Sequence, residues 1–143
     1  MKSKVLISIC MALVILFSYT AVSKLIDIPL FNYEMHNQPL PHWMRTGLVF
    51  FLPAIELLIV VSLLIDKTRV VGLFASLVIM LSFTAYTALI LTGAFHRVPC
   101  SCGGVIKNLT WKQHLFFNLF FVGLIIWGMF LQAHVKNKKI IHA

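Results

Sequence analysis

Long apolar runs separated by short polar clusters set the pattern of this chain. Four stretches, Val5–Ser23, Thr46–Ile65, Val70–Gly93 and His114–Leu131, are nearly free of charge. A bilayer hydrocarbon core about 30 Å thick takes roughly 20 apolar residues as helix, because every backbone polar group must be paired inside the segment. Each stretch is close to that length. The pattern predicts an all-α fold, a four-helix transmembrane bundle in which residues 1–143 form a single integral membrane domain. The run that follows Met1-Lys2-Ser3-Lys4 has the basic start and apolar centre of a signal peptide. Its apolar character continues through Ser18-Tyr19-Thr20-Ala21-Val22 without a small-x-small cleavage site, so a retained helix is expected.

Composition sharpens this picture. Hydrophobic residues make up 60% and charged residues 11%, against about 25% charged in soluble domains. The net charge of +8 does not point to nucleic acid, because there is no folded basic surface to present it. Lysines and arginines instead mark the span ends, where they meet lipid headgroups and set orientation. With a cytoplasmic N-terminus, Lys2, Lys4, Lys67, Arg69, Lys136, Lys138 and Lys139 lie inside, and Lys24, Arg45, Arg97, Lys107 and Lys112 lie outside. The inside charges crowd into short tails and the tight turn Asp66-Lys67-Thr68-Arg69. Both termini are therefore expected in the cytoplasm, with the connections 24–45 and 94–113 on the opposite face. Trp43 in the first connection reads as an interfacial anchor.

The candidate chemistry concentrates in the second connection, His96-Arg97-Val98-Pro99-Cys100-Ser101-Cys102-Gly103-Gly104. Three readings compete. Cys100 and Cys102 are incidental small residues, or thiolate ligands for a soft ion such as Cu(I) helped by His96, His114 or Met35, or a redox-active dithiol. A Cys-x-Cys disulfide closes a small ring, which forces the bond from relaxed geometry and raises its tendency to accept electrons. The glycines after it let another chain approach the sulfurs, and the extracytoplasmic side is where disulfides persist. Arg97 and His96 favour a thiolate. Cys10, inside the first span, reads as a small buried apolar residue. The six histidines are scattered over loops and tail, with no facing intramembrane pair for haem ligation. Asn108-Leu109-Thr110 matches a glycosylation sequon that matters only in a eukaryotic secretory pathway.

Glu56 is the other anomaly. It sits near the middle of the second span, where comparable charged residues cost at least about 2.5 kcal/mol on insertion scales. It is expected to face the bundle interior. No lysine or arginine lies at matching depth, so the expected partners are the hydroxyls of Ser18, Tyr19, Ser82 or Thr84, or backbone freed by Pro53. Either it fixes packing through an interhelical hydrogen bond, or it is a proton site coupled to electron transfer at the loop. Asn118 and Thr87 read as packing residues.

Lys24 closing the first helix, Pro53-Ala54-Ile55-Glu56 in the second, and Pro99-Cys100-Ser101-Cys102-Gly103-Gly104 after the third together resemble the MauE/DoxX-like family, and more closely its MauE branch. The resemblance covers nearly the whole chain. It implies a bacterial inner-membrane protein associated with periplasmic thiol–disulfide chemistry. MauE itself is linked to maturation of methylamine dehydrogenase, a disulfide-rich enzyme, and that client does not carry over. Cys100 and Cys102 inherit the redox role, and Glu56 matches an acidic position of the family. DsbB- and VKOR-like membrane oxidoreductases carry two cysteine pairs, one of them near quinone; this chain has one. The expected function is a thiol–disulfide relay acting on a periplasmic thioredoxin-like or client protein, with Cys100, Cys102 and Glu56 as the catalytic residues. The cofactor stays open, a quinone among the candidates. The rivals are a scaffold subunit of a larger complex and a copper(I)-binding membrane protein.

Overall fold

In the computed structural model, residues 2–94 and 110–141 are described. They form five helices: α1 (Lys2–Ile26), α2 (Ile28–His36), α3 (His42–Leu64), α4 (Arg69–Leu91) and α5 (Trp111–Ile141). All but α2 are long and apolar enough to cross a membrane, as the hydropathy pattern predicts. α1 and α5 overrun the predicted spans at both ends and α3 starts four residues early, because polar residues at the rim extend a helix as readily as apolar ones once its backbone is paired. α4 starts one residue early and stops two short of Gly93.

The spanning helices close a ring in which α1 packs on α3 and α5, and α4 packs on the same two neighbours from the other side. Lipid is as apolar as leucine, so no hydrophobic drive brings such helices together and close backbone approach supplies the attraction. Small residues mark the approaches. At Gly72 a Cβ would lie 3.0 Å from the Leu63 backbone nitrogen, and at Gly128 it would lie 3.2 Å from Ile9. Large apolar side chains such as Ile15, Phe50, Phe116 and Phe130 point outward and are mostly exposed, an apolar belt suited to acyl chains.

The first connection, residues 24–45, is partly helical. It holds α2, started by Asp27, whose side chain accepts from the Leu30 N–H at 3.1 Å with Pro29 in the first turn. Proline is tolerated there, since that N–H has no helical partner. Phe31 and Met35 of α2 pack against Val49 and Leu52 of α3, which folds the connection back onto the bundle end.

The second connection is fixed at both ends. Gly93, at φ +73°, ends α4. Its N–H donates to the Ile90 carbonyl at 3.1 Å and the Ala94 N–H to the Leu89 carbonyl at 3.2 Å. This is the paired-carbonyl closure that a left-handed glycine permits. At the start of α5, the Thr110 N–H donates to Gln113 Oε1 at 2.9 Å and the Gln113 N–H to Thr110 Oγ1 at 3.4 Å. Thr110-Trp111-Lys112-Gln113 is thus a reciprocal capping box, which starts α5 three residues before His114, the expected first residue of the span.

Gly72 yields a direct test. Gly72→Val is expected to lower the stability of the detergent-solubilised protein by about 1–3 kcal/mol through overpacking against Leu63. Gly123→Ala, where nothing lies within 4 Å of the added Cβ, should leave it nearly unchanged. Thermal unfolding in a mild detergent measures both.

Candidate functional site

The two halves of the bundle differ. One half is a dry core of Leu6, Ile9, Leu13, Ile59, Leu63, Leu73, Val122 and Ile125, drawn from the start of α1, the end of α3, the start of α4 and the middle of α5. Cys10 is buried in this half as a free thiol. The opposite half, at the end that carries α2 and both caps of the second connection, holds a cavity of about 400 Å³.

Glu56 lies where the two halves meet, between Leu52 on the cavity and Ile59 in the core, and its side chain is 1% exposed. Its partner is Lys24. The ammonium donates to Oε1 at 2.8 Å and to Oε2 at 3.0 Å, and also to the Thr20 carbonyl at 3.3 Å. This corrects the expectation of no cation at matching depth, and the hydroxyl that joins it at Glu56 is that of Thr20. Ser82 and Thr84 instead donate to the Val78 and Met80 carbonyls of their own helix, and Tyr19 is largely exposed. The error was to measure depth at the backbone. The four-carbon stem of lysine carries its charge more than a helical turn from its Cα, and Lys24 turns inward instead of snorkelling out.

The cavity wall is aromatic, with Phe17, Phe51, Phe83, Trp111 and Phe117 among its lining residues. A second polar point lies on it where the Tyr86 hydroxyl donates to Gln38 Oε1. Gln38 is almost fully buried, and its Nε2 donates to the Glu34 carbonyl at 3.3 Å. Thr87 donates to the Phe83 carbonyl at 2.8 Å, and Asn118 faces the same space. Both therefore line a cavity where only packing was expected.

Of the residues expected to carry chemistry, Glu56 is brought to the cavity. Met35 and His114, the proposed helpers of a copper site, also line it. Cys100, Cys102, His96 and Arg97 lie outside the described residues. The Lys24–Glu56 pairing and the Gln38–Tyr86 contact were missed. A lysine at the end of the first span, with a carboxylate in the middle of the second, was the available signal for the first. The second joins residues far apart in sequence and had none.

A family model described as methylamine utilisation protein MauE matches residues 2–131. The chain belongs to the MauE family. Its four long apolar helices make it a multi-pass membrane protein, and the matched region takes in the ion pair, the cavity and the cysteine motif. No curated protein and no solved structure gives a match.

Removing one member of a buried ion pair leaves an uncompensated charge and typically costs about 3–5 kcal/mol, whereas replacing both by apolar residues is often neutral. Lys24→Met in this MauE-family chain is expected to destabilise by that order. Lys24→Met/Glu56→Leu should recover most of the loss, as read by unfolding in detergent.

Proposed function

We propose that this protein is a membrane-embedded thiol–disulfide relay that acts through Cys100 and Cys102 on a periplasmic thioredoxin-like or client protein. The observation that carries the reading is the bracketing of the cysteine-bearing connection. Its two ends are held by the Gly93 closure and the Thr110–Gln113 box at the cavity end of the bundle. Connectivity tethers the pair to those caps, on the same end as the buried Lys24–Glu56 pair. An intramembrane ionisable residue is costly enough to mark function, and MauE membership adds a redox context.

In the exchange, the thiolate of one cysteine attacks a disulfide sulfur of the partner and forms a mixed disulfide. The second cysteine displaces the partner, which leaves as a dithiol while Cys100–Cys102 becomes the disulfide. The reverse exchange regenerates the pair. Each turnover moves two electrons and two protons, and Glu56 acts as the proton-handling group at the cavity floor. The orientation follows the charge bias: both termini in the cytoplasm of a bacterial inner membrane, the cysteine connection in the periplasm, where a disulfide persists.

Orientation is tested by labelling single cysteines in spheroplasts with a membrane-impermeant maleimide. Positions in 95–109 are expected to react and positions 67 and 138 to stay protected; the reverse pattern would put the pair in a reducing compartment.

Redox titration of the purified protein should place the Cys100–Cys102 potential well above the roughly −300 mV of inert structural disulfides. Cys100→Ser and Cys102→Ser should each abolish cycling, with the surviving thiol trapping a mixed disulfide. Lys24→Met/Glu56→Gln should stay inserted and cycle more slowly. A low potential with functional serine variants indicates a scaffold. Tight Cu(I) binding lost in both variants, with no trapped partner, indicates a copper protein.

A further inference from the structure

The cavity is built more elaborately than the relay requires. It is lined by side chains from all four spanning helices and from α2, and it is partly open. A volume of about 400 Å³ is within the usual range of small-molecule sites, roughly 300–1,000 Å³. The walls suit a flat ring, since Phe17, Phe51, Phe83, Trp111 and Phe117 offer faces and edges for stacking.

The floor selects the hydrogen-bonding sense of that ring. An ammonium has three N–H groups, and those of Lys24 are matched by Glu56 Oε1, Glu56 Oε2 and the Thr20 carbonyl. The floor therefore offers no further donor from Lys24. A carboxylate has about four lone-pair sites; the lysine bonds occupy one on each oxygen, and the Thr20 side chain is a further hydrogen-bond partner. Glu56 thus retains capacity to accept, and it lines the cavity. The complementary ligand brings a hydroxyl. Gln38 and Tyr86 supply the second polar point on the same wall, suited to a ring with oxygens on two edges. An acyl chain would meet neither polar point.

We infer that this cavity binds a membrane quinol, a lipophilic dihydroxy ring whose hydroxyl donates to the Glu56 carboxylate while its face stacks on the aromatic wall. Neither cysteine takes part, so binding persists in a Cys100→Ser/Cys102→Ser chain and stands or falls apart from the relay.

That chain, with Trp43→Phe and Trp127→Phe added, keeps Trp111 on the cavity as its sole tryptophan. Its fluorescence is followed in detergent during anaerobic titration with decyl-ubiquinol, and separately with the oxidised decyl-ubiquinone. Quenching is expected to saturate, with the quinol bound about tenfold tighter than the quinone, because only the quinol donates to a charged acceptor. Lys24→Met/Glu56→Leu should erase that preference. Leu48→Phe, which narrows the cavity away from the floor, should weaken both forms alike. Excess short-chain phosphatidylglycerol should displace neither. Equal affinity for the two forms, non-saturating quenching that follows partition into detergent, a preference that survives loss of Glu56, or displacement by the phospholipid each overturns the assignment.

Discussion

Two opposite charges held together inside an apolar bundle constrain everything around them. Attraction between unit charges grows as the local dielectric falls, so once Lys24 and Glu56 are out of water neither can leave the other. Lys24 lies 7% exposed near the end of α1, and Glu56 lies 1% exposed in the middle of α3. The contact fixes how far α1 slides along α3 and turns the lysine inward. It also sets the level at which the dry core stops. Side chains on the core side of Glu56 close over one another, whereas those on the other side surround open space. Apolar residues in the same two places would hold the helices at least as well.

The bundle divides its tasks accordingly. The half containing Leu13, Ile59, Leu73 and Ile125 is packed mainly from apolar side chains, with the buried Ser76 hydroxyl donating to the Gly72 carbonyl of its own helix. It brings α3 against α4 at Gly72 and α1 against α5 at Gly128. Association in lipid depends on such contacts, so this half supplies the rigidity. The cavity half is lined by α2 and by aromatic side chains such as Phe17, Phe51, Phe83 and Phe117. A site there has walls on several helices and can be positioned accurately, because the other half holds those helices in register.

The same end carries both connections. One is folded into α2 and covers the cavity. The other leaves α4 through a left-handed glycine and re-enters α5 through a capping box, so its ends are fixed however the residues between them are arranged. Both caps complete the backbone hydrogen bonding of their helix ends, and Trp111, the residue after Thr110, lines the cavity. A reaction at Cys100 and Cys102 would then occur on a tether joined directly to the cavity wall.

Segment-level properties were already decided by the sequence. Unbroken apolar runs dictate spanning helices, since no other backbone arrangement satisfies its own polar groups in hydrocarbon. The cost of burying a carboxylate marks Glu56 as exceptional without any coordinates. Thr110-x-x-Gln113 and Asp27-x-Pro29 also carried local signals for the α5 start and for α2, although apolar length alone overlooks them. Relations between distant residues were settled only by tertiary structure. The lysine stem spans more than a helical turn, so Cα depth does not reveal that Lys24 answers Glu56. The Gln38–Tyr86 contact and the convergence of aromatic residues on one cavity depend on the order of helices around the ring and on their rotation. Hydropathy carries neither quantity, because a lipid-facing and a cavity-facing phenylalanine are equally apolar.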